Sequence, residues 1–251
     1  MPLVAAAVLP HSPLLLPSIA KDHTRLADKT RSAVAEVAHA FHARGVETCI
    51  ILNPHGPRTT EFVLAGANPV VGNLKEFGDL SSPSYKIQTD LNQQLRDAID
   101  ADGLPVSIDD AASVDYGVVV PLQCLALPGS PSIVPISISA AKHESLIRLG
   151  RVIQNVAHES DRRIAVIASA DGSRRRTPDP SGKPTEVERL LARSITTLHV
   201  GELLSHRQHR LCGIGPVATL IAMLEGHGSS AKILATEAPY GVGYIVGLIE
   251  T

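Results

Sequence analysis

Short apolar runs alternate along this chain with longer runs whose apolar residues recur at helical spacing, and that alternation constrains the fold more than any other feature. Leu3 to Leu9, Thr48 to Leu52, Ser132 to Ile138, Arg163 to Ala168 and Gly243 to Ile249 read as buried strands, with shorter ones at Val106 to Ile108 and Ile233 to Thr236. Between them, Asp22 to Arg44 carries Leu26, Val34, Val37 and Phe41 on one side and stops at Gly45. Asp90 to Asp100, Asp115 to Leu127 (despite Pro121) and Lys142 to His158 also read as helices. So does Thr185 to Leu198, where Thr185 is followed by Glu186 and Glu188, and a further helix opens at Gly215 and Pro216 and ends near Glu225. Phe62 to Leu64 and Pro69 to Val71 suggest a hairpin around Gly66, and residues 171–184 a polar loop rich in Gly and Pro. No linker, composition break or internal repeat divides the chain. The expectation is a single α/β domain over residues 1–251, a central mixed sheet with helices on both faces.

Composition agrees. Hydrophobic residues make up 44% of the chain but aromatics only 3%, with no Trp, so the core is built from Val, Ile, Leu and Ala, which suits a sheet covered by helices. A net charge of −2 excludes the broad basic footprint of a nucleic-acid binder, and Arg174, Arg175 and Arg176 read as a local cluster on a solvated loop. Cys49, Cys124 and Cys212 make neither a disulfide framework nor a CxxC pair, which suits a reducing compartment. The apolar start lacks a basic segment and is interrupted at Pro10 and His11, so it reads as a first strand rather than a signal peptide; no stretch is long enough to span a bilayer. The expected location is the cytoplasm, without membrane partners.

In folds of this kind function gathers beyond the carboxyl ends of the strands. His11 follows the first strand in LPHSP, His55 the second in NPHGP, Asp171 follows RIAVIA, and Glu237 follows KILAT. Any one of them fits a turn or a surface charge. The two Pro-flanked histidines together are harder to dismiss, because proline fixes the backbone that presents the imidazole. Two imidazoles and one anionic group make a metal site, as in the 2-His-1-carboxylate triad that binds Fe(II). The third ligand is left open between a carboxylate, Glu237 or Asp171, and the thiolate of Cys212, which sits in LCGIGP just before a helix start. Cys49 and Cys124 lie within apolar runs and read as core.

These motifs resemble, in order and over nearly the whole chain, the LigB-type class III extradiol dioxygenases and their relative Memo. LPHSPLLLP and ILNPHGP resemble the two metal-histidine segments, VDYGVVVPL the segment that often reads DHGxxxPL, and IASADGSRR the one that often reads SGDLSH. LCGIGPVATLIAMLEG resembles the Memo-type CGxxPI helix start, and EAPYGVGYIVGLI the closing Gly-Tyr strand. The resemblance implies His11 and His55 as metal ligands, Cys212 as the Memo-like third ligand with Glu237 as the dioxygenase-like alternative, and Asp171 as the Asp of the SGDLSH-like segment. Tyr116 and Arg174 stand where the family often has histidines, so the usual proton traffic cannot run unchanged: Tyr titrates near 10 and Arg stays charged.

Three function classes follow. The first is a metal-dependent oxidoreductase with Fe(II), or else Zn or Cu, taking a small aromatic catecholic substrate and O2, with Asp171, Tyr116 and Arg174 as catalytic or substrate contacts. The second is a Memo-like binding or regulatory protein, or non-catalytic subunit, on the same scaffold, whose site holds a metal or none. The third, a metal hydrolase, ranks last, since neither HExxH nor a nucleophile elbow is present. Homo-oligomers are common among such proteins, though no interface is legible.

Overall fold

The computed structural model describes residues 3–174, 183–205 and 211–251. In chain order the elements are β1 (Leu3–Leu9), α1 (Pro17–Ala20), α2 (Asp28–Ala43), β2 (Thr48–Asn53), β3 (Phe62–Ala65), β4 (Val70–Gly72), β5 (Ser84–Tyr85), α3 (Thr89–Ala101), β6 (Val106–Asp109) and β7 (Ser113–Val114). They continue with α4 (Tyr116–Leu125), β8 (Ser132–Ser137), α5 (His143–Glu159), β9 (Ile164–Ser169), β10 (Asp171–Arg174), α6 (Glu186–Thr197), α7 (Gly201–Ser205), α8 (Ile214–Leu224), β11 (Ser230–Glu237) and β12 (Val242–Glu250).

The main sheet runs β10-β12-β1-β9-β2-β8-β3-β6, with β11 also on β12, and β4, β5 and β7 form a small second sheet. β1, β9, β2 and β8 are mutually parallel; β12 against β1 and β3 against β8 are antiparallel. This is the expected α/β architecture with a mixed central sheet. The parallel core strands are buried on both faces, which is why they read as continuous apolar runs rather than alternating ones. Along β1, Ala6 and Val8 face the core shared with α3, α5, α6 and α8, while Ala5, Ala7 and Leu9 face the one shared with α2 and α4. The crossovers β1–α2–β2 and β8–α5–β9 travel in opposite directions across the sheet. Right-handedness therefore sends their helices to opposite faces. No helix among the described residues is long and apolar enough to cross a membrane.

Three local expectations are corrected. Phe62–Ala65 and Val70–Gly72 do not form a hairpin: β3 pairs with β6 and β8, whereas β4 joins the small sheet, and the Gly66 N–H donates to the Asp109 carbonyl instead of closing a turn. Residues 21–27 form a 3-10 segment, so α2 begins at Asp28 rather than Asp22. Asp171 and Arg174 lie on a strand, β10, rather than in a loop; polarity hid it, because β10 is short and its pairing with β12 is main-chain work. Arg175 and Arg176 fall outside the described residues.

Candidate metal centre

The carboxyl ends of β1, β2 and β9 are adjacent, so whatever follows them meets. His11 lies just past β1 and is fully buried. Its backbone N–H donates to Asp171 Oδ1 at 3.0 Å, its Nδ1 is 3.0 Å from Ser169 Oγ, and Ser169 Oγ donates to the Gly117 carbonyl at 2.6 Å. A hydroxyl whose one proton is committed to a carbonyl can only accept from the imidazole. His11 therefore carries its proton on Nδ1 and leaves the Nε2 lone pair free.

That lone pair faces a second one. His55 Nε2 is 3.1 Å from His11 Nε2, and Cys212 Sγ is 3.5 Å from it. The ligand atoms of His11, His55 and Cys212 all lie within 4.8 Å of one another. Tyr116 completes the His55 environment: its hydroxyl is 3.4 Å from His55 Nδ1, and the rings lie 4.5 Å apart. The hydroxyl can donate to or accept from Nδ1, so it serves either tautomer of His55. When Nδ1 carries the proton, both Nε2 lone pairs point into the gap, the arrangement an outer partner imposes on metal-binding histidines.

The loop bearing His55 is held on all sides. His55 N–H donates to Asn53 Oδ1 at 3.1 Å; the Asn53 amide donates to both Asp115 oxygens at 3.2 Å; and Asp115 caps α4 by accepting from Gly117 N–H at 2.8 Å. One amide thus ties the end of β2 to the helix start that carries Tyr116. Ser137 donates to the His55 carbonyl and Ser139 to that of Pro57. Gly56 sits at φ +94°, where a side chain would be strained and would meet Ser137 Oγ.

Burial decides the charges. It pushes His11 down to about 3, with the Arg174 guanidinium adding to the effect, and His55 down to about 4, with His11 adding to it. It pushes Asp171 up to about 6, and Cys212 up to about 11 with Asp171 adding. Burial also raises Tyr116. At neutral pH both imidazoles are therefore neutral, with lone pairs available as ligands.

The structure brings together His11, His55 and Cys212, with Tyr116 against His55 and Asp171 at the edge, its Oδ2 3.6 Å from His11 Nε2. Arg174 is exposed and lines the cavity above. Glu237, the alternative third ligand, is not in the cluster: its carboxylate accepts from the Thr30 N–H at 2.7 Å and hydroxyl at 2.5 Å, satisfying a free donor in the first turn of α2. Sequence reasoning assigned no role to Ser169, Asn53 or Ser137. Each is the polar last residue of a strand, directly after an apolar run, and that was the available signal.

The site opens into a cavity of about 820 Å³ lined by His55, Tyr116, Arg174 and Cys212, with Ile138, Leu146, Ile214 and Pro216 as apolar wall. The family model described as the catalytic LigB subunit of aromatic ring-opening dioxygenase matches residues 5–236. The chain belongs to the LigB family. Protein CA_C1420 of Clostridium acetobutylicum is 25% identical over 266 residues, covering 97% of this chain and 56% of that protein. MEMO1 family protein MMP1387 of Methanococcus maripaludis is 30% identical over 104 residues, 40% of this chain and 36% of that one. The chain thus spans only about half, or less, of the length of these relatives. The crystal structure of uncharacterized protein JW3007 from Escherichia coli K12 shares the fold, with a TM-score of 0.66 and 16% identity over 99% of this chain and 100% of that one. The LigB and Memo-like resemblance read from the motifs agrees with these matches.

Proposed function

We propose that this LigB-family chain is a metal-dependent oxidoreductase in which His11, His55 and Cys212 hold one metal ion at the floor of the cavity, and in which a catechol-like ring and O2 are the substrates. The observation that supports it is the convergence of two imidazole nitrogens and one thiol within 4.8 Å. The donor set fits a metal: two neutral nitrogens 3.1 Å apart need a proton or a cation between them, and the fixed Nδ1 proton of His11 leaves its Nε2 free to take one. When bound, the metal supplies Lewis acidity and a common anchor for substrate and O2. The chain's own residues do the rest. Ile138, Leu146 and Ile214 give a flat ring an apolar wall; the Tyr116 hydroxyl donates a hydrogen bond to a substrate oxygen beside His55; and Asp171, held by the His11 N–H, fixes the first ligand's loop.

The test is metal content of anaerobically purified protein, with His11→Ala as control, followed by O2 uptake on a panel of catechols. About one Fe per chain, lost in the variant, with catechol-dependent O2 uptake would establish the reading. A second reading is favoured by Cys212 and Tyr116: a thiolate ligand suits Zn or Cu, and no histidine stands at Tyr116 to move protons. Stoichiometric Zn or Cu with no O2 uptake would make the chain a metal-binding protein without ring-opening activity. No metal after reconstitution with Fe, Zn and Cu would sink both.

A further inference from the structure

We infer that a second cavity, of about 500 Å³ on the other side of the His55 loop, is an effector site that takes a small organic cation with an apolar body and, when filled, holds that loop in place. This goes beyond the metal-centre reading, and occupancy of the cavity is measurable whether or not a metal is bound. The cavity lies among the ends of β2 and β8, the strand β3, the β6–β7 connection and the start of α4. The wall between it and the cavity above the His11, His55 and Cys212 cluster is one residue thick. Asn53, Pro57, Asp115 and Ser137 line the second cavity, their chain neighbours Pro54, Arg58, Tyr116 and Ile138 line the first, and Gly56 lines both. Three of those wall residues are the ones that hold His55: Asn53 accepts its N–H, Asp115 is bound by the Asn53 amide, and Ser137 donates to its carbonyl.

The lining gives the ligand class. Val63, Ala65, Val114, Val118 and Pro135 make an apolar wall, and the volume is that of a small-molecule site. Glu76, Asp109 and Asp115 bring three carboxylates against one ammonium, Lys75. Asp115 Oδ1 accepts from the Gly117 N–H and the Asn53 amide, but Oδ2 accepts from Asn53 alone and keeps room for a further donor. An ammonium supplies that donor, and the negative walls steer it in. Among the described residues, the only group of three side chains whose ligand atoms converge closely enough for a metal ion is His11, His55 and Cys212, so the second cavity suits an organic cation rather than a bare ion. An occupant resting on Asp115, Asn53 and Ser137 fits only while the loop is closed on them, so its binding favours that arrangement. A metal on His55 fixes the same loop, and by linkage each strengthens the other.

The test is calorimetric titration of the metal-free protein with tryptamine, its uncharged counterpart tryptophol and its anionic counterpart indoleacetate. Tryptamine is expected to bind about tenfold tighter than tryptophol, with an affinity that falls as salt rises, and indoleacetate more weakly than either. Asp109→Asn and Glu76→Gln together lower tryptamine affinity about fivefold and change tryptophol less than twofold. Ser113→Trp, at an exposed lining position, blocks the cavity and removes both; an unchanged Tm verifies that these variants fold. The loop is read separately. Exchange of the His55 N–H requires its bond to Asn53 to open, and tryptamine at about four times its Kd slows that exchange about fivefold. In the reconstituted protein tryptamine raises Zn(II) affinity, read by chelator competition, about fivefold. Cation binding with this exchange protection but without any Zn(II) binding leaves the effector site standing and sinks the metal reading. Equal affinity for the three compounds, tryptamine binding that survives Ser113→Trp, or a His55 N–H that exchanges no more slowly overturns the inference.

Discussion

Ser169→Ala tests whether the His11 proton is held where a metal site needs it. Ser169 is fully buried, and its Oγ both accepts from His11 Nδ1 at 3.0 Å and donates to the Gly117 carbonyl at 2.6 Å. Alanine orphans two polar groups in a dry environment, each worth about 1–3 kcal/mol, so the metal-free protein is expected to lose ~2–6 kcal/mol. One escape exists. The imidazole can move its proton to Nε2, toward His55, recovering part of the stability but occupying the lone pair a metal would use. Metal affinity then falls about 10–100-fold, the cost of losing an outer partner of a ligating histidine. Chelator competition with Zn(II) measures the affinity, chemical denaturation the stability, and long-range ¹H–¹⁵N NMR the tautomer. Affinity within twofold of wild type, with the proton still on Nδ1, would refute the claim that Ser169 sets the tautomer.

Cys212→Ser should lower Zn(II) affinity by more than the ~10–100-fold of an outer-partner change and abolish the thiolate-to-metal absorption band with Co(II), while Glu237→Gln keeps the band; the opposite pattern would restore the carboxylate as third ligand. Because burial holds the Cys212 thiol up near about 11, metal binding near neutral pH should release about one proton per ion, read by calorimetry in buffers of different ionisation enthalpy, and none in Cys212→Ser. Between about pH 4 and 6 the unfolded metal-free chain binds two more protons, at His11 and His55, and the folded chain one more, at Asp171. The net of one makes stability rise with pH by up to about 1.4 kcal/mol per unit; His55→Asn should flatten that slope, and parallel stability profiles would contradict it. Gly150→Ala places a Cβ 2.5 Å from the Thr219 carbonyl and 2.9 Å from the Met223 nitrogen, backbone that cannot step aside, so α5 and α8 must separate at about 1–3 kcal/mol; an unchanged Tm would show that they part freely.

The strands were legible in the sequence because burial on both faces leaves an unbroken apolar signature, and the rule that function gathers at carboxyl ends then led to His11 and His55. Which side chain joins the two histidines was not legible. Cys212 and Glu237 both flank strand or helix ends in suitable motifs, and the choice depends on a partner far away in sequence, Thr30, whose N–H and hydroxyl claim Glu237. β4 and the supposed hairpin failed for a similar reason. Pairing of short strands is decided by distant main chain, β7 and β5, and leaves no periodicity behind. Ser169 escaped notice because a serine closing a strand looks the same whether it ends a ladder or orients an imidazole.

The same burial that hides these residues gives the site its chemistry. An exposed His–His–Cys cluster would be partly protonated near neutral pH, and each proton would compete with a metal. Burial drives both imidazoles neutral and keeps the competing proton on one group alone, Cys212. The cost is an aspartate held next to His11 with its acidity weakened, and that aspartate accepts the His11 N–H and so fixes the backbone that presents His11. Asn53, Asp115 and Ser137 do the equivalent for His55 through its backbone alone, leaving its ring free to trade protons with Tyr116. One histidine is thus locked in tautomer and the other is adjustable, which in the proposed metal site lets His55 adapt to an ion that the His11 Nε2 is already arranged to take.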